Sequence, residues 1–112
     1  MSNDQQNPLT WNDCIEVRQA FSTAFEEVKT ALLQVGINAA ASQQTQIKQR
    51  ADNCLHQLAL IEDQVNKYMA DKNHLLVVNT PLTADQMPVA YAIHSFHTLA
   101  IGEIVKTMES FQ

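Results

Sequence analysis

Apolar residues recur at alternating intervals of three and four along most of this 112-residue chain, the spacing of one buried helix face. In the first stretch Cys14, Val17, Phe21, Ala24, Val28, Ala31 and Val35 form such a seam and predict a helix over residues 9–35. Thr10 followed by Asp13 resembles a capping box with a shortened acid, and Asn7-Pro8 offers a start one turn earlier. Gly36 is the expected stop, taking a left-handed conformation with Ile37 folding back beyond it. A second seam, Ile47, Ala51, Cys54, Leu58, Ile61, Val65 and Tyr68, predicts a helix over residues 39–72. Repeats of this kind favour long helices crossing at a shallow angle.

Residues 73–82 then read as a connection, apolar through His74-Leu75-Leu76-Val77-Val78 and broken by Asn79-Thr80-Pro81. Ten residues reach at most about 33–36 Å, shorter than the roughly 45 Å of a 30-residue helix. The third helix, over residues 85–111, is therefore expected to run antiparallel to the second. The apolar part of the connection should pack over the end of the bundle rather than form an edge strand. Thr83 and Gln86 make a capping box, but Pro88 is tolerated only in the first turn of a helix, so a short turn at Thr83 should precede a helix from Gln86. The predicted fold is all-α, an antiparallel up-down-up bundle of three long helices in a single domain spanning residues 1–112. The polar residues 1–8 are expected to be flexible.

The third helix is more apolar than such a bundle needs. From Gln86 to Gly102 there is no Asp, Glu, Lys or Arg. At the helical step its apolar side chains cover about 220° of the circumference, against about 140° for each of the other two helices. An arc that wide calls for cover on two sides, so self-association into a larger helical bundle, or docking of another protein, is expected. The expected interface comprises Val89, Ile93, Phe96 and Ala100 at one edge of the arc, helped by Leu76 and Val78 from the connection. Trp11, Ile15 and Leu33 lie beside the first seam and should cover the open ends of the bundle.

Composition narrows the function classes. Charged residues make up 17% of the chain, below the usual ~25%, and only two glycines and three prolines argue against a β-rich fold. The net charge is −5, with scattered acids and seven basic residues that form no stripe, so nucleic-acid binding is not expected. No run reaches the ~18–20 apolar residues of a membrane span, and the polar residues 1–8 are not expected to act as a secretory signal. Two cysteines without paired spacing, Cys14 and Cys54, suggest a reducing compartment and a cytoplasmic protein.

Candidate chemistry is sparse. His94 and His97, one turn apart, are the single pair with ligand-like spacing. Counting back from the expected turns places Cys14, Ile61, Glu62 and His94 in one layer, a donor set that zinc or iron accepts. The Glu-x-x-His tetrapeptides of four-helix carboxylate metal proteins are absent, and each of these residues also fits a core position, so no metal or cofactor is expected. The segment His97-Thr98-Leu99-Ala100-Ile101-Gly102 is faintly similar to the His-x-Leu-Lys-Gly stretch of histidine phosphotransfer domains. It departs from that family by Ala100 in place of lysine, by a glycine one residue late, and by a histidine that points into the apolar arc. The expectation is a non-enzymatic interaction module such as an adaptor, chaperone or inhibitor. A metal-binding bundle using His94 and His97, or a small-ligand pocket beside the third helix, stands as the alternative.

Overall fold

A computed structural model describes residues 9–78 and 80–111, so the segment expected to be flexible, residues 1–8, lies outside the described residues. The chain is an all-α bundle of three helices, α1 (Trp11–Ala41), α2 (Thr45–Met69) and α3 (Met87–Phe111). Short 3-10 turns occur at Asn73–Leu75 and Ala84–Gln86, and no strand is present among the described residues.

α1 begins as its sequence predicts. The Asp13 amide donates to the Thr10 hydroxyl at 3.1 Å, and the Thr10 amide donates back to the Asp13 carboxylate at 2.9 Å. Together they satisfy two of the amide donors that a helix start leaves open. The end of α1 differs from expectation. The helix runs through Gly36, which is buried and helical, and continues to Ala41. Glycine permits the left-handed conformation but does not compel it, and the alanines at 39–41 are the strongest helix formers available. Ala39 is also buried, so packing holds the extra turn in place. The left-handed residue is instead Gln43, at φ 60°. Its amide reaches Ala40 O at 3.2 Å and the Gln44 amide reaches Ala39 O at 2.8 Å, the paired bonds of a Schellman stop.

This shift moves the whole hairpin. With the turn at residues 42–44 rather than near 36–38, α2 starts at Thr45 and slides along α1 by about three helical turns relative to the expected register. Phe21 and Phe25 now share a depression with Glu62 and Val65. α3 runs parallel to α1 and antiparallel to α2. The first relation is marked by Cys14 against Ala90 and Phe21 against His97, the second by Tyr68 stacked on Phe96 and Arg50 bonded to the carbonyl of Phe111.

The core is drawn from all three helices: Trp11, Cys14, Phe21, Phe25 and Leu32 from α1, Cys54, Leu58, Val65 and Met69 from α2, and Ala90, Ile93, Ala100 and Ile104 from α3. On α1, Phe25 and Leu32 are buried where Ala24 and Ala31 were expected to lead, because α1 touches two neighbours and turns a wide face inward. Trp11 is buried and closes one end. In the connection Leu75, Leu76 and Leu82 pack against the core, whereas Val77 and Val78 remain exposed. The start of α3 combines both signals. Gln86 Oε1 accepts from the Thr83 amide at 3.1 Å within a 3-10 turn, and α3 then starts at Met87 with Pro88 safely in its first turn.

A non-glycine residue in the left-handed region is strained by about 1–2 kcal/mol. Replacing Gln43 by glycine should therefore raise stability by roughly 0.5–1 kcal/mol in urea denaturation, the remainder being offset by the greater freedom of glycine in the unfolded chain. An unchanged or lower midpoint would show that the turn is not strained at this residue.

Candidate interaction surface

The uncharged stretch of α3 resolves into three adjacent seams. The inward one, Ala90, Ile93, His97, Ala100 and Ile104, is buried. One flank carries Val89, Ala92, Phe96 and Leu99 beside α2, and the other carries Tyr91, Ile101 and Val105. Of the six residues expected at an interface, Ile93 and Ala100 are 0% and 7% exposed and belong to the core. The reason is that α3 packs against both α1 and α2, so the middle of its wide arc is consumed inside the molecule. Phe96 is half-buried and Val89 exposed, both on the α2 flank. Leu76 is half-buried and lines a separate depression with Ile15, Arg18 and Asn73. Val78 is 54% exposed on the connection.

The flank beside α2 carries a shallow groove of about 120 Å³, bounded by Ile61, Val65, Phe96, Leu99 and Ala100, with Gln64 and Glu103 at its rim. A void of that size is below what buries a small-molecule ligand. One wall is rigid. The rings of Tyr68 and Phe96 stack at 4.2 Å with an interplanar angle of 3°, and the Lys72 ammonium lies 4.1 Å from the Tyr68 centroid while donating to Tyr68 O at 3.0 Å. At the rim stands Leu99, 70% exposed, the most exposed large apolar side chain among the described residues. The seam Val89, Ala92, Phe96, Leu99 carries the signal that points to Leu99, because it repeats the core spacing one residue earlier.

The residues considered for metal chemistry do not converge. His97 is fully buried and its Nδ1 lies 2.8 Å from Ile93 O. His94 is half-buried one turn away. Cys14 donates its thiol to Ala90 O at 3.4 Å, and Glu62 lies in the depression beside Phe21, Phe25 and Val65. The shifted hairpin register separates Glu62 from the layer of Cys14, and among the described residues no three His, Cys, Asp or Glu side chains form a set that could hold a metal ion. Both ring nitrogens of His97 lie inside the bundle, so its imidazole is not presented to a phosphoryl donor in the way the faint phosphotransfer similarity would require.

The two cysteines are structural. Cys54 points its thiol at Thr107 O at 3.7 Å, so each thiol meets a backbone carbonyl near a different end of α3. Burial, with the Asp13 carboxylate adding to it, pushes the Cys14 thiol from 9.0 up to about 11.

Two outcomes follow from this geometry. At pH 8 the Cys14 thiolate fraction should be about a hundredfold smaller than that of an ordinary thiol. Iodoacetamide should therefore leave Cys14 unmodified in the folded protein and label it on unfolding, as read by peptide mass; rapid labelling of the folded form would show that the α1–α3 seam opens. For the aromatic stack, a double-mutant cycle with Tyr68→Leu and Phe96→Leu should return a coupling of about 0.5–1.5 kcal/mol in urea denaturation, and a value near zero would remove the stack as a source of stability. Compared with known proteins, the chain matches no family model, no curated protein and no solved structure.

Proposed function

We propose that this protein is a non-enzymatic protein-interaction module of the adaptor, chaperone or inhibitor type, and that its contact surface is the α2–α3 groove with Leu99 at its rim. The observation that carries this is Leu99, 70% exposed beside Phe96 and Ile61 on a helix with no charge between Gln86 and Gly102. Removing such a side chain from water contributes about 1.5–3 kcal/mol, and the stacked Tyr68–Phe96 pair offers a wall that needs no further ordering on contact.

The occupant we propose is a second copy of the chain, arranged about a two-fold axis. Two molecules of net charge −5 repel each other over most of their surface, and the α3 flank from Val89 to Leu99 is a place where they can meet without opposing like charges. The three-and-four spacing of Val89, Ala92, Phe96 and Leu99 suits another helix lying at a shallow angle, and two-fold homodimers are the commonest closed assembly. Such a pairing would complete the larger helical bundle that the width of the α3 arc anticipates. Reduced, buried cysteines fit a cytoplasmic setting for this role.

Light scattering coupled to size exclusion tests it. The wild-type protein should run as a dimer at micromolar concentration, Leu99→Asp should weaken association by at least about a hundredfold, and Val105→Asp on the opposite flank should leave it intact. A wild type that stays monomeric up to about 100 μM would exclude the second copy as occupant and leave the groove to a different protein. A dimer insensitive to Leu99→Asp would move the interface elsewhere.

A further inference from the structure

Among the described residues His97 is the one buried polar side chain of the core, 0% exposed at the middle of the inward seam of α3. Its Nδ1 lies 2.8 Å from the carbonyl of Ile93, which can only accept, so Nδ1 carries the proton and Nε2 presents a lone pair. That Nε2 is buried and has no hydrogen-bond partner among the described residues. The ring stands edge-on to Phe21 of α1 at 6.1 Å and to Phe96 of its own helix at 6.5 Å. Phe96 in turn is stacked on Tyr68 of α2, so the imidazole lies where all three helices are tied together. An apolar residue would fill this position without an unmade hydrogen bond.

A proton arriving at Nε2 finds no acceptor. Nδ1–H already donates to Ile93 O, and the new N–H would be buried with no partner among the described residues. Two charged groups near the site act against a cation. α1 contributes Arg18 and α3 contributes His94, both of which oppose a second positive charge. The carboxylates of Glu26 on α1 and Glu62 on α2 line the same depression as Arg18 and Phe21, and Tyr68 of α2 stacks on Phe96. We propose that His97 is an acid-sensitive latch: protonation at Nε2 is incompatible with the closed bundle and releases α3 from the α1–α2 hairpin. Release would uncover Ala90, Ile93, Ala100 and Ile104, an apolar strip next to the α2–α3 groove. The latch does not depend on what occupies that groove.

The direction of the pH effect follows from burial, which lowers the His97 pKa below its ordinary 6.5; Arg18 and His94 act in the same sense and the Ile93 carbonyl against it. Above pH ~6.5 both folded and unfolded chains hold His97 neutral and it adds no pH dependence. Below that, the unfolded chain takes up a proton that the folded chain refuses. The folding constant should then fall by up to about tenfold per pH unit until the depressed folded pKa is reached.

Urea denaturation of the wild type and of His97→Phe from pH 8 to pH 5 reads this directly. Between pH 6.5 and 5.5 the wild-type folding constant should fall several-fold further than that of the variant, and parallel profiles would overturn the proposal. Should His97→Phe fail to fold, imidazole nitrogen NMR on the wild type decides. The folded protein should keep a bare Nε2 and a protonated Nδ1 at pH 5.5, and an ordinary titration near pH 6.5 would overturn it. Hydrogen exchange at pH 5.5 addresses the release itself. Amides of α3 should lose protection ahead of those of α1 and α2, while simultaneous loss along all three helices would show global unfolding in place of a latch.

Discussion

The left-handed turn at Gln43 sets the alignment on which the rest of the bundle rests. A hairpin joined by so short a connection has little freedom to slide, so the residue at which α1 stops decides which side chains of α1 and α2 share a layer. Carrying α1 through Gly36 to Ala41 brings Phe21 and Phe25 opposite Val65. It also separates Glu62 from Cys14, and thereby dissolves the donor set that a shorter α1 would assemble. One local competition, an alanine-rich helix end against a glycine stop, thus decides the chemistry the interior can offer.

α3 answers to both partners at once. Its buried seam uses small residues, Ala90 and Ala100, alongside Ile93 and Ile104, and the middle of the seam is His97. Each end is tied to the hairpin through a backbone carbonyl that accepts from a thiol, Ala90 from Cys14 and Thr107 from Cys54. Thiols are weak donors, so these contacts orient more than they stabilise, and the main stabilisation comes from apolar burial along the seam. The wide apolar arc that marks α3 is largely explained by this double contact. What remains outside is a flank, from Val89 to Leu99, with the Tyr68–Phe96 stack behind it.

The polar groups left in the core show two solutions to the same problem. Both thiols find carbonyl acceptors, and burial pushes the Cys14 thiol up so that it stays protonated. His97 satisfies one nitrogen and leaves the other bare, a cost of roughly 1–3 kcal/mol for an unmade buried bond. The cysteines therefore read as packing, whereas the imidazole is a place where solvent protons and bundle closure compete.

Much of this was legible in the residues alone, because it is local. The three helices, the Thr10–Asp13 cap, the turn at Thr83–Gln86 before Pro88 and the up-down-up order follow from periodicity, capping chemistry and chain reach within a few residues of each feature. So does the inward placement of Cys14, Cys54 and His97. Only the tertiary structure decided where α1 ends, which layer each side chain occupies, and that Ile93 and Ala100 are core while Leu99 is surface. The stop at Gly36 and the continuation to Ala41 differ locally by about the 1 kcal/mol that separates glycine from alanine in a helix. Burial of Ala39 tips that balance, and such burial exists only once the chain has folded. The arc on α3 shows the same limit: its width is a property of one helix, but the share of it that stays exposed depends on how many neighbours that helix has.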